Sequence, residues 1–146
     1  MLDNRQEIEA YVPHSGDMVL LDRVLSCDDT SIAIELDVGA RLPGLKDGAL
    51  PAYYLIEVMA QSIAAWSGIG RGQPAGSQPI GFLLGTRKFQ CDRQSFELDS
   101  TVRIQSTQIF ENEGLTQFTC SATLPAVGDT IVAQANVSVY SNPADV

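Results

Sequence analysis

The chain has 146 residues, of which 45% are apolar and 18% charged, and its net charge is −9. That length and composition fit one domain with a real core and exclude a disordered chain. The acidity, with no basic stripe to neutralise phosphates, excludes a general nucleic-acid binder.

In chain order, residues 4–11 suggest one or two helical turns before Pro13, and His14, the only histidine, follows. Met18–Leu25 reads as a strand, and Asp28-Asp29 marks a turn. Ser31–Val38 alternates, with Ile32, Ile34 and Leu36 facing one way, which predicts a half-buried strand. A loop broken by Gly39, Pro43, Gly44 and Gly48 leads into Pro51–Gly68. This stretch predicts a long helix, opened by proline and closed by glycine. Ala52, Leu55, Ile56, Met59, Ala60, Ile63 and Ala64 share one face, and Tyr54, Val58 and Ala65 make the opposite face apolar too. Residues 68–79, with four glycines and two prolines, read as a flexible connection. Pro79–Cys91 reads as a strand interrupted at Gly85. Thr101–Phe110, Leu115–Thr123 and Thr130–Tyr140 are three further strands, with hairpin turns at 111–114 and 125–129. The tail, 141–146, is expected to fray.

A helix covered on most sides needs a sheet to wrap it. The expected class is therefore α+β, with a long central helix inside a curved antiparallel sheet, and one domain over 1–146 whose residues 1–12 form an N-terminal helical segment. Long strands with apolar residues on both faces leave a surface that a dimer would bury. The helix is short for a bilayer span and polar near its middle, and the start of the chain lacks the apolar run of a secretory leader. A soluble cytoplasmic protein is expected. Cys27, Cys91 and Cys120, an odd count without C-x-x-C pairs, read as small, buried, reduced thiols.

Two polar residues interrupt the helix. Glu57 and Gln61 lie four apart on one stripe. A carboxylate among apolar neighbours is either satisfied structurally or kept for chemistry. Burial among Leu55, Ile56 and Met59 would suit an acid working near neutrality. Gln61 is placed to orient that carboxyl or a bound water.

Three stretches resemble hotdog-fold 3-hydroxyacyl-acyl-carrier-protein dehydratases. VPHSGDMVLLDRV is similar to their LPHRxPxLLxDRV opening, LPAYYLIEVMAQ to their MPGVLxIEAMAQ helix, and GFLLGTRKF to their FxGIxxxRF strand. The likeness runs from about Gln6 to Tyr140. The chain looks closer still to divergent dehydratase-like proteins of aryl-polyene pathways. This resemblance implies a hotdog fold and active sites at a dimer interface, each using a histidine of one subunit and an acidic residue of the other. The acidic residue lands on Glu57. The amide that holds the thioester oxygen lands on Ala52, beside Tyr53, and Gly81 falls in the strand that follows the helix. In one position the pattern breaks. The catalytic histidine of the family lies fourteen residues before the glutamate, where this chain has Pro43. His14 matches a different family histidine, one without the base role.

His14 therefore has two readings, a packing residue at a strand entrance or a replacement base folded over the helix N-terminus. Tyr53 and Tyr54 read as helix-start packing or as the lining of an acyl tunnel. Arg87, Lys88 and Arg93, with Arg71 nearby, read as solvated edge charge or as a docking patch for an acidic acyl carrier protein. The implied partners are that carrier protein and a second hotdog subunit, like or unlike, possibly in a higher oligomer. No metal or redox cofactor, nucleic acid or membrane is implied. Three functions stand open: a 3-hydroxyacyl thioester dehydratase or a subunit of one, a non-catalytic partner subunit, and an acyl thioesterase.

Overall fold

Period-2 alternation builds the larger of two sheets. In the computed structural model, which describes residues 1–70 and 81–141, the strands are β1 (Arg23–Cys27), β2 (Ser31–Asp37), β3 (Ala49–Pro51), β4 (Gly81–Cys91), β5 (Ser95–Glu97), β6 (Thr101–Asn112), β7 (Leu115–Thr123) and β8 (Ile131–Ser141). Six of them form an antiparallel sheet in the order β1-β2-β6-β7-β8-β4, and β3 pairs with β5. Two helices are described, α1 (Arg5–Glu9) and the long α2 (Leu55–Gly70). The predicted connection over 68–79 and the tail over 141–146 lie almost wholly outside the described residues, and so does Arg71.

The core lies between α2 and one face of the sheet. Ile32, Ile34 and Leu36 of β2, Val102 and Ile104 of β6, and Phe118, Cys120 and Ala122 of β7 are all buried. From α2 they receive Leu55, Val58, Met59, Ile63, Ala65 and Trp66. The inward face of the helix is thus centred on the 55-58-59-62-66 stripe. Ile56, Ala60 and Ala64, assigned to that face by periodicity, are only half-buried. Trp66 packs edge-on against Phe118, centroids 5.3 Å apart, and its indole N–H donates to the Asp28 carbonyl. Inside this apolar layer the Ser62 and Ser106 hydroxyls satisfy each other at 2.8 Å.

Several sequence expectations shift. Residues 16–18 form a 3-10 turn and β1 begins only at Arg23, so the strand predicted over 18–25 starts late. The run 49–54 is not yet α-helix. It is a short strand and a 3-10 turn, because Pro51 is extended and pairs with Ser95. Only Cys120 of the three cysteines is buried, and all three are free thiols. Burial pushes the Cys120 thiol up to about 11. The interruption expected at Gly85 appears as a register shift between Leu83 and Gly85. Among the described residues no helix is long and apolar enough to cross a membrane.

On the outer side, Arg23 bridges Glu35 at 3.0 Å and Asp37 at 2.7 Å, and Arg103 reaches Glu35 at 2.8 Å. The bond from Arg23 holds the Asp37 carboxyl below the usual carboxylate range, against the opposing effect of burial. A carboxyl depressed in the folded state adds stability above its unfolded value, and that stability is lost as pH falls through the folded one. Arg23→Gln is therefore expected to lower the denaturation midpoint near neutral pH. The gap from wild type should narrow as the solution becomes acid enough to protonate Asp37. Urea unfolding at a series of pH values measures this, and a gap independent of pH would refute it.

Candidate active site

His14 and Glu57 meet within one chain. The Nε2 of His14 lies 3.6 Å from Oε1 of Glu57, and their side chains are 28% and 46% exposed. Glu57 sits in the first turn of α2. His14 comes from the strap between α1 and β1, which must cross the helix start to bring it there.

The strap is fixed by side chains at its far end. Gly16 takes a positive φ of 59°, which lets the chain turn just after His14. Beyond the turn, Gln61 uses both ends of its carboxamide. Its oxygen accepts from the Leu20 amide at 2.9 Å, and its nitrogen donates to the Met18 carbonyl at 2.7 Å. From outside, Arg41 donates to the Val19 carbonyl at 3.1 Å and to Asp22 at 3.0 Å. Asp22 in turn accepts from the Asp37 amide at 2.7 Å. Val19, Leu20 and Leu21 are buried beneath these bonds. Gln61, expected to orient Glu57 or a bound water, is bonded instead to Leu20 and Met18 of the strap. Its amide is spent on the strap that carries His14.

Glu57 also departs from expectation. Its neighbours Leu55 and Met59 are buried, but its own side chain is nearly half exposed, because it lies off the inward stripe of the helix. Ala52 is buried, and its N–H donates to the Gln94 carbonyl at 2.9 Å, so the amide matched by resemblance is already engaged. Tyr53 is 63% exposed and packs against little. Gly81 opens β4 opposite Ser141, on a different element from the His14–Glu57 pair.

Tyr54 is a residue whose place the sequence reading left open. Its phenol is pushed up, first by burial and then by the Glu57 charge, so it stays a protonated donor in the field of that carboxylate. The Pro43–Gly44 segment lies against it. A Cβ on Gly44 would collide with Cε2, Cδ2 and Cζ of the Tyr54 ring. Gly44→Ala is expected to cost about 1–3 kcal/mol by overpacking, read by thermal unfolding. An unchanged midpoint would show that the ring moves aside freely. Pro43 itself is exposed and offers no proton-transfer group.

The basic cluster divides. Arg93 is engaged locally, with its Nε 2.7 Å from Asp92 and its guanidinium 5.7 Å from the Phe96 ring centre. Arg87 and Lys88 are exposed on β4, where a positive φ at Lys88 breaks the register with β8. No group of side chains able to hold a metal ion is found among the described residues.

A family model described as ApeP-like, ApeP dehydratase, matches residues 6–146. No curated protein matches the chain. Among solved structures, a chain of the dehydratase heterocomplex ApeI:P from Xenorhabdus doucetiae is 29% identical, with a TM-score of 0.81 over 94% of this chain and 93% of that one. Thioesterase superfamily member 2 of zebra fish is 16% identical, with a TM-score of 0.69 over 94% and 95%. A hypothetical thioesterase with coenzyme A from Streptococcus pneumoniae TIGR4 is 14% identical, with a TM-score of 0.64 over 82% and 86%. The last two show a shared fold alone, and that fold is the hotdog.

Proposed function

We propose that this chain, which belongs to the ApeP-like dehydratase family, removes water from a 3-hydroxyacyl thioester on an acyl carrier protein, as one subunit of a cytoplasmic hotdog dehydratase. The reading takes 1–146 as one hotdog unit. The observation that carries it is the His14–Glu57 pair at 3.6 Å, at the start of the central helix of a dehydratase-family chain.

Dehydration needs a base for the proton α to the thioester carbonyl, a donor for the developing enolate oxygen, and an acid for the departing 3-hydroxyl. Glu57 supplies one proton-transfer group. With Ala52 engaged, the donor for the thioester oxygen is the next amide, at Tyr53, where the start of the helix favours negative charge. No histidine stands at Pro43, and the Glu57 side chain is half open. Both facts support a second hotdog subunit that closes the site and brings the remaining group. The structural neighbour described as a heterocomplex supports an unlike partner. Arg87 and Lys88, exposed in an acidic chain, are the residues proposed to meet the acidic carrier protein; Arg93 serves less well, being paired with Asp92.

The test is hydration of a trans-2-enoyl thioester by the purified chain, alone and mixed with a separately purified second hotdog dehydratase subunit. Activity in the mixture is the expected result. No activity in either sample, or thiol release from a saturated acyl thioester, would overturn the reading.

A further inference from the structure

We infer that His14 carries its proton on Nε2 and presents it to Glu57, which makes His14 a positioning residue and leaves Glu57 as the proton acceptor of the pair. The inference rests on the dehydratase reading only for its kinetic arm. Its structural basis is the other ring nitrogen. Nδ1 of His14 is buried and has no hydrogen-bond partner among the described residues.

A neutral imidazole has one N–H and one lone pair, and the surroundings decide which nitrogen carries which. A proton on Nδ1 would bury a donor with no acceptor, which is costly. A lone pair there loses less. A second subunit cannot supply the missing acceptor, because this chain already closes Nδ1 off. The proton therefore belongs on Nε2, the nitrogen 3.6 Å from Oε1 of Glu57. A shift of a few tenths of an ångström makes that contact a hydrogen bond.

The consequence is a division of labour. With Nε2 protonated and Nδ1 enclosed, His14 has no lone pair to offer a substrate. The Glu57 carboxylate does. It takes the proton from C2 of the acyl chain as that C–H electron pair moves into the C2–C3 bond. The C3–O bond breaks, and the hydroxyl leaves as water with a proton from the remaining group, which the second subunit brings. His14 restricts the carboxylate rotamer and lends it a donor. Gln61 and Arg41, which clamp the strap, set where that donor sits.

His14 is the only histidine in the chain, so its ring can be read without ambiguity. Nitrogen NMR of the full-length protein with ¹⁵N-labelled histidine, near neutral pH, should show a pyrrole-type Nε2 and a pyridine-type Nδ1. A pyrrole-type Nδ1, alone or together with Nε2, overturns the inference. The kinetic arm compares two variants in the active mixture. His14→Gln keeps an N–H donor near the place of Nε2 and should stay within about tenfold of wild type, whereas His14→Leu should fall about a hundredfold. Equal losses in the two would mean that His14 is itself the base. An inactive wild type with the expected NMR pattern would refute the dehydratase reading and leave the proton assignment standing.

Discussion

Glu57→Gln is expected to lower enoyl-thioester hydration by about 10²–10⁴-fold, the usual worth of a positioned proton-transfer group. The substitution keeps shape and removes only the ability to gain and lose a proton. Glu57 is half exposed and its contact with His14 exceeds hydrogen-bond length, so the fold should hardly notice, with a stability change within about ±0.5 kcal/mol. Substrate binding should persist, because the Tyr53 amide proposed to hold the thioester oxygen is untouched. A loss confined to kcat is thus the expected signature. Glu57→Asp should fall less far, since the carboxylate survives but is withdrawn from His14 by one methylene. The measurement is steady-state hydration in the two-subunit mixture, beside a thermal melt of each variant. Full activity of Glu57→Gln would place the chemistry in the second subunit and make this chain its non-catalytic partner.

The fold was largely legible because its signals are strong and local. Ile32, Ile34 and Leu36 alternate, three long strands are joined by short polar turns, and one long apolar helix demands a sheet. The helix start was less legible. Pro51 favours the first turn of a helix, yet its extended backbone serves equally well in β3, and only the distant partner Ser95 decides. Glu57 and His14 both stand out in the sequence, the first as a charge in an apolar helix and the second as the only histidine. Their meeting was left open, since it depends on how the strap over 15–20 is tied down. That tie is Gln61, whose partners at Met18 and Leu20 lie about forty positions away in sequence. From sequence alone the nearest polar group to Gln61 is Glu57, one turn away, and no local rule says that its carboxamide points elsewhere. The exposure of Glu57 was missed for a related reason. Apolar residues on most sides of α2 hid which stripe faces the sheet, and that stripe is set by Ser62 and Trp66 meeting Ser106 and Phe118.

Gln61→Met should uncouple the pair without touching it. Methionine has nearly the length and volume of glutamine, so the space inside α2 stays filled. What disappears is the acceptor for the Leu20 amide and the donor to the Met18 carbonyl. Leu20 is buried, and its orphaned N–H alone should cost about 1–3 kcal/mol. Met18 is exposed, so its carbonyl can turn to water at little cost. With its clamp gone, the strap loses its tie to α2, keeping only Arg41 and the Asp22 bonds, and His14 drifts from Glu57. A displacement of about 1 Å can cost on the order of a hundredfold in rate. Gln61→Glu should be worse for stability near neutral pH, since it buries a charge and sets a carboxylate against the Met18 carbonyl. Hydrogen exchange of the Leu20 amide reads the clamp directly, and protection there should collapse in Gln61→Met. The decisive comparison is the double variant with His14→Leu. If Gln61 acts on the rate through His14, the two losses fall short of additive, because the second removes what the first has already displaced. Fully additive losses, or a Leu20 amide as protected as in wild type, would show that Gln61 is only a core residue and that the strap is held by other means.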